Sequence, residues 1–144
     1  MDKAELRQYR ALVREQAMLE KKIQWYKDKM TALPDIYDKV QASSSEWPYI
    51  PVHIPVKAKN PELAADLRKL IRLNEQRQQE VMASLVAIEE YINGIPDSED
   101  RQIFEMVYIS GKTYKETGEV LHIETSTVAK RIKKQIDNQN DEQE

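Results

Sequence analysis

The sequence of 144 residues contains no cysteine, three glycines and two histidines. Without cysteine the chain cannot form a disulfide, a thiolate metal site or a catalytic thiol. Neither His53 nor His122 lies at a recognisable spacing from an acid or a nucleophile. No Gly-rich phosphate loop, His-Glu-x-x-His pattern or calcium loop occurs either. We therefore predict a protein that is not an enzyme and that uses no cofactor and no metal.

Long apolar runs are also missing, so we predict no membrane-spanning segment and no membrane partner. Aromatic residues make up only 7% of the chain, whereas charged residues make up 33%. Leu, Lys, Glu, Gln and Arg are common, which favours exposed helices over a sheet. The composition therefore predicts an all-α fold.

Two stretches carry residues at alternating spacings of four and three, a pattern typical of helices that pair as coiled coils. The first row is Leu12, Gln16, Leu19, Ile23, Tyr26, Met30 and Leu33; the second is Leu63, Leu67, Leu70, Asn74, Val81, Ile88 and Ile95. Gln16 and Asn74 can fix register and partner number, because they are polar members of apolar rows. We predict a long antiparallel helical hairpin, although the same rows could pair with a second copy.

Prolines mark the predicted ends of these helices. The first helix is predicted over Lys3 to Leu33, because a proline at position 34 pushes the preceding residue out of the α region. The second is predicted to begin with Asn60 as its N-cap, followed by a proline, and to end near Gly94.

The intervening residues 34–60 are predicted to form an extended irregular arm, which is longer than connections without structure of their own usually are. Within the arm, Ile50, Val52, Ile54 and Val56 alternate with Tyr49, Pro51, His53 and Pro55. This alternation predicts one strand, and its prolines restrict that strand to an edge or a surface. Three roles remain open for the arm: packing over the hairpin, pairing with a second subunit, or docking a partner protein.

Residues 111–131 predict two short helices joined by a tight turn. Thr113 can cap the first helix, with Glu116 at the capping-box spacing. Gly118 lies within this helix, where a glycine suggests that another helix passes too close for a Cβ. The apolar pattern stops after Leu121 and resumes with Val128, Ile132 and Ile136 at helical spacing, which predicts the second helix.

The second of these helices is basic, with four positive charges and no negative charge between residues 125 and 136. In a major-groove helix the N-terminal side chains meet base edges, and cations behind them lie over phosphates. A merely solvated surface helix would carry similar charges, but the capped helix and the short turn before it favour DNA binding. The predicted DNA-binding residues are Lys112, Tyr114, Lys115, Thr125, Ser126, Thr127, Lys130, Arg131, Lys133 and Lys134.

A set of residues between positions 92 and 136 also carries a family resemblance. The set comprises Ile95, Pro96, Arg101, Ile103, Val107, Tyr108, Gly111, Tyr114, Glu116, Thr127, Val128, Lys130 and Arg131. It resembles region 4 of bacterial sigma factors and the related domain of phage-borne transcription activators. The resemblance implies a Pro-led helix packed under a helix-turn-helix, a glycine that ends that helix, and a recognition helix that opens at a Thr-Val pair. It also implies promoter-type DNA binding with contact to RNA polymerase.

The turn departs from the family pattern, because His122 stands where the family usually has glycine. If that position requires a positive φ, histidine can adopt it at a modest cost, since it is one of the residues enriched in the left-handed region.

Residues and resemblance together predict a sequence-specific transcription regulator of phage or prophage origin that binds double-stranded DNA. We expect a homodimer or higher homo-oligomer in the cytoplasm of a bacterium or an infected host cell. The predicted domains are a helical hairpin over 1–94, a helix-turn-helix domain over 95–136 and an acidic flexible tail over 137–144. Two alternatives are a ring-forming small terminase subunit and an adaptor that binds RNA polymerase and a host protein without DNA.

Overall fold

A computed structural model describes the backbone of residues 1–42 and 53–142, and the side-chain environments of residues 1–32 and 61–141. The helices are α1 (Lys3–Arg7), α2 (Tyr9–Ala42), α3 (His53–Asn93), α4 (Ser98–Phe104), α5 (Tyr114–Leu121) and α6 (Thr125–Glu142), with a π-helical turn over Glu105–Ile109. No strand occurs in these described ranges, so the all-α prediction is confirmed. Among the described helices none is both long enough and apolar enough to cross a bilayer.

The helices form two compact units. One consists of residues 1–16 and 81–144, and the other consists of residues 17–80. The predicted domain boundary after position 94 falls inside the first unit. Helices α2 and α3 therefore each contribute residues to both units.

Both long helices extend further than the prolines predicted. Helix α2 continues past Pro34 to Ala42, so the predicted end at Leu33 is wrong. Helix α3 begins at His53 and contains Pro61, so the predicted start at Asn60 is wrong as well. A proline removes one backbone hydrogen bond and disfavours the helix locally, but here both helices continue through it. Residues 53–56 are helical rather than extended, and the rest of the predicted strand, 49–52, lies outside the described residues.

Within the unit of residues 17–80, the buried positions follow the predicted rows. Leu19, Ile23, Leu67 and Asn74 are buried. Asn74 donates its side-chain amide to the carbonyl oxygen of Leu70, at 2.7 Å, so its burial leaves that donor satisfied. Leu63, the first member of the second row, is 47% exposed, so it does not pack within this unit. The apolar row of α3 therefore starts at Leu67 among the described side chains.

The other unit has a core to which both ends of the chain contribute. Its buried cluster consists of Leu6, Ile88, Ile92, Ile95, Ile103, Phe104, Tyr108, Val128, Ile132 and Ile136. Leu6 comes from α1, which begins after Asp2, whose side chain accepts a hydrogen bond from the Glu5 N–H. Residues near the start of the sequence thus help to bury the inner face of α6.

In this unit the start of α2 meets the end of α3. The Tyr9 hydroxyl donates a 2.6 Å hydrogen bond to Oε1 of Glu89. The beginning of α2 and the end of α3 are therefore in contact here, as the predicted hairpin requires. This bond, together with burial and the negative charges of Glu89 and Glu105, raises the pKa of Tyr9 from 10.0 to about 12.

We predict that Tyr9→Phe lowers the free energy of unfolding at neutral pH by ~1 kcal/mol, because it removes a hydrogen bond to a carboxylate. A pKa that is raised on folding stabilises the protein fully below pH 10 and loses its effect as the pH rises through about 12. The difference between wild type and variant should therefore shrink above pH 10. Urea denaturation at a series of pH values measures it.

Tyr26→Phe serves as the control, because it also removes a phenol but leaves the bond between Tyr9 and Glu89 intact. A Tyr9→Phe difference that stayed constant from pH 8 to pH 11 would contradict this account of the bond.

Candidate nucleic-acid interface

Helix α5 begins where the capping pattern predicts. The Thr113 hydroxyl oxygen accepts a hydrogen bond from the Glu116 N–H at 3.0 Å. The same hydroxyl donates to Oε1 of Glu116 at 3.2 Å. The Glu116 carboxylate thus bonds the capping hydroxyl itself, whereas the full capping box would place it on the Thr113 backbone N–H. The predicted start at Thr113 is confirmed.

The segment before α5 ends in a glycine, as the resemblance implies. The π-helical turn closes through bonds from Ser110 N–H to Glu105 O at 2.9 Å and from Lys112 N–H to Met106 O at 2.8 Å. Gly111 follows with a φ of 76°, a conformation that side chains rarely adopt. The chain therefore changes direction at Gly111 and enters α5.

The turn after α5 is left-handed at His122, which has a φ of 60° and a ψ of 41°. The carbonyl oxygen of Gly118 accepts hydrogen bonds from the His122 and Ile123 N–H groups. A Cβ on Gly118 would lie 2.6 Å from the Ile123 carbonyl oxygen. The predicted close approach at Gly118 is thus confirmed, but its neighbour is the backbone of the turn rather than another helix.

Helix α6 begins directly after this turn. The Glu124 carbonyl oxygen accepts bonds from the N–H groups of Thr127 and Val128, which closes the first turn. The predicted inner row of Val128, Ile132 and Ile136 is buried. The helix continues to Glu142, so residues 137–142 are helical where the sequence predicted a flexible tail.

The outer side of α6 presents most of the predicted DNA-binding side chains. Thr125, Ser126, Lys130, Lys133 and Lys134 are exposed, as is Lys115 on α5. Lys112, Tyr114, Thr127 and Arg131 are partly buried. With 3.6 residues per turn, Ser126, Lys130 and Lys133 share the face opposite the buried row. The structure therefore brings a polar helix start to the same side of the helix as Lys130, Lys133 and Lys134, which form no ion pair among the described residues.

Arg131 differs from these lysines, because it forms three ion pairs with the start of α4. Its Nη2 lies 2.8 Å from Oδ2 of Asp97 and its Nε 2.7 Å from Oδ1 of Asp100. Its Nη1 also contacts Glu99. Burial lowers the pKa of Arg131, but the negative charges of Asp100 and Glu99 outweigh that effect and raise it. We name these four residues the Arg131 cluster.

The three acidic residues of this cluster were not among the functional residues predicted from the sequence. Asp97 also caps α4, since its side chain accepts a hydrogen bond from the Asp100 N–H at 3.0 Å. Acidic residues at the start of a helix are favoured by the helix dipole. This preference was the only feature of the neighbouring sequence that could explain their positions. Their pairing with a cation more than 30 positions later depends on the folded arrangement.

Comparison with known families identifies part of this region. Residues 85–134 match the family model described as Sigma-70, region 4. The match extends from the end of α3 to the lysines of α6, close to the range in which the sequence shows its resemblance. The chain therefore carries a sigma-70 region 4-like helix-turn-helix domain. Comparisons with curated proteins and with solved structures find no match.

We predict that Arg131→Ala lowers the free energy of unfolding by ~2 kcal/mol, because it removes three charge-assisted bonds, one of them to a mostly buried carboxylate. Lys134→Ala, on the same helix but without an ion pair among the described residues, should change it by less than ~0.5 kcal/mol. Urea denaturation at low and high salt compares them. Equal stabilities would show that the Arg131 cluster does not hold α6 in place.

Proposed function

We propose that this protein is a DNA-binding transcription regulator that reads double-stranded DNA with α6. One observation carries the proposal: Lys130, Lys133 and Lys134 stand exposed on a helix whose opposite face is buried, directly after a tight helix-turn-helix turn. The match of residues 85–134 to sigma-70 region 4 supports it. A helix held by one face and charged on the other fits the major groove.

The positions of the side chains suggest different roles. Thr125 and Ser126 lie exposed at the start of α6, the part of a recognition helix that reaches base edges. The three lysines follow where phosphates would flank the groove. Arg131 is engaged by carboxylates, so in this proposal it positions α6 and does not contact DNA.

The proposal is tested by selecting binding sequences from a random duplex pool and measuring affinity by fluorescence anisotropy at several salt concentrations. Lys130→Ala and Lys133→Ala should each weaken binding to all sequences and flatten the salt slope by ~0.9, the effect of one lost phosphate contact. Ser126→Ala should instead change the selected sequence, because it alters a contact to a base edge.

Lys69→Ala is the matched control, since it removes an exposed lysine from the unit of residues 17–80. The proposal fails if wild type selects no duplex. It also fails if Lys130→Ala and Lys133→Ala bind like Lys69→Ala at every salt concentration.

We further propose that the protein acts as a homodimer joined through α2. Met18 and Trp25 are 53% and 56% exposed and lie seven residues apart, so they share one face of the helix. Two large apolar side chains on one exposed face favour association, because their burial removes apolar area from water. The heptad rows and the symmetry of many DNA sites point to a second copy of the same chain.

We predict that wild type has the mass of a dimer and that Trp25→Lys shifts it toward the monomer, because a charge would then lie in the apolar contact. Trp25→Phe retains the apolar ring and should remain dimeric. Light scattering with a concentration series measures both. A monomeric wild type would refute the dimer, and a larger closed assembly would favour the terminase-like alternative.

A further inference from the structure

A cavity of about 240 Å³ lies beside the start of α5, within the unit formed by residues 1–16 and 81–144. Its lining residues are Arg7, Arg10, Val107, Tyr108 and Tyr114. Two arginines and two tyrosines therefore line one space. The arginines come from the beginning of the chain, in α1 and α2, whereas the phenols come from the helix-turn-helix region and the turn that precedes it.

The two arginines lack an acidic partner among the described side chains. Among the residues whose side chains the structure describes, neither Arg7 nor Arg10 forms an ion pair or a hydrogen bond. Arg10 nevertheless has a defined position, because its guanidinium lies where a Cβ on Gly111 would be. It also lines a neighbouring cavity with Arg14, so the positive charge continues along the start of α2. Cations held in place without partners favour an anionic ligand.

Tyr108, another lining residue of this cavity, carries a buried hydroxyl. The residue is only 4% exposed, and its hydroxyl is buried without a hydrogen bond of ordinary geometry among the described residues, although the Tyr114 phenol lies close to it. A buried hydroxyl without a partner is costly, and a native structure seldom leaves one without a reason. Burial raises the pKa of Tyr108, and the nearby Tyr114 phenol adds to that effect, so the hydroxyl keeps its proton at neutral pH.

The helix start adds further donors. Tyr114 is the first residue of α5, and the Thr113 side chain caps the helix at the Glu116 N–H. The N–H groups of Tyr114 and Lys115 have no acceptor within the helix, because the first turn of any α-helix lacks them. Together with the helix dipole they favour an anion at this end.

We propose that Arg7, Arg10, Tyr108 and Tyr114 bind one backbone phosphate of the DNA that α6 reads. The assignment rests on the proposed function and adds to it a contact from the N-terminal helices. In helix-turn-helix proteins the first helix of the motif crosses the DNA backbone while the second enters the groove. The cavity lies at the start of that first helix, and arginine, tyrosine and helix N-termini are the usual donors to DNA phosphates.

The test uses the full chain and a duplex selected by wild type, prepared as a series in which one phosphate at a time is replaced by an uncharged methylphosphonate. Arg7→Ala/Arg10→Ala should weaken binding about tenfold or more at low salt, as expected for a lost charge-assisted contact. The salt slope should fall by ~0.9. One methylphosphonate position that weakens wild type should no longer affect the variant.

Two conservative variants and a control extend the methylphosphonate test. Tyr108→Phe keeps the ring and should reduce affinity less than the double variant, at the same backbone position. Arg10→Lys keeps the charge, and its methylphosphonate profile is measured instead if the double variant does not fold. Arg72→Ala, which removes an exposed arginine in the unit of residues 17–80, should reproduce the wild-type profile at every position.

A folded double variant with the wild-type methylphosphonate profile would overturn the phosphate assignment and leave the role of α6 intact, provided that Lys130→Ala still weakens binding. A wild type that selects no duplex would overturn both. Titration of inorganic phosphate, followed by the amide NMR signals of Gly111 and Tyr114, identifies the source of the anion. Saturable shifts there, with an unchanged DNA profile, would assign the cavity to a free anion and overturn the DNA contact.

Discussion

Arg131 joins α6 to the first turn of α4 through three carboxylates, while Val128 and Ile132 lie in the same buried cluster as Ile103 and Phe104. The buried residues hold α6 by its inner face, and the ion pairs limit its rotation about its own axis. The direction in which the lysines point depends on this attachment. A planar guanidinium suits the role, because it can bond several carboxylates at once in fixed directions.

The cations of α6 thus form two groups that lie on different sides of the helix. Arg131 lies toward α4 and is neutralised within the fold, whereas Lys130 and Lys133 face away from the buried row. Neighbouring positions with the same formal charge consequently differ in what they can offer to DNA. Counting the charges of residues 125–136 therefore overstates the exposed cations of α6 by one. The same count omits Arg7 and Arg10, which form no ion pair among the described side chains.

What the sequence predicted correctly was encoded within a few residues. The cap at Thr113 and the buried row from Val128 follow from neighbouring side chains and backbone preferences, whereas a positive φ at His122 was considered only because the family usually has glycine there. The partners of Arg131 lie more than 30 positions away and could not be read from spacing. The helix limits predicted from Pro34 and Pro61 were wrong, because proline disfavours the helix only locally and the residues on both sides of each proline are helical. Likewise, the burial of the Tyr108 hydroxyl results from the packing of helices that are far apart in the sequence, so neighbouring residues do not predict it.

The unit that contains the helix-turn-helix takes its core from both ends of the chain, with Leu6 in the same cluster as Ile132. The ribosome adds about 5 to 20 residues per second, so these two side chains emerge roughly 6 to 25 seconds apart. Until the later one appears, the buried cluster to which Leu6 belongs is incomplete. The surface that carries the lysines of α6 is consequently completed late in biosynthesis, because α6 contributes to the same core as Leu6.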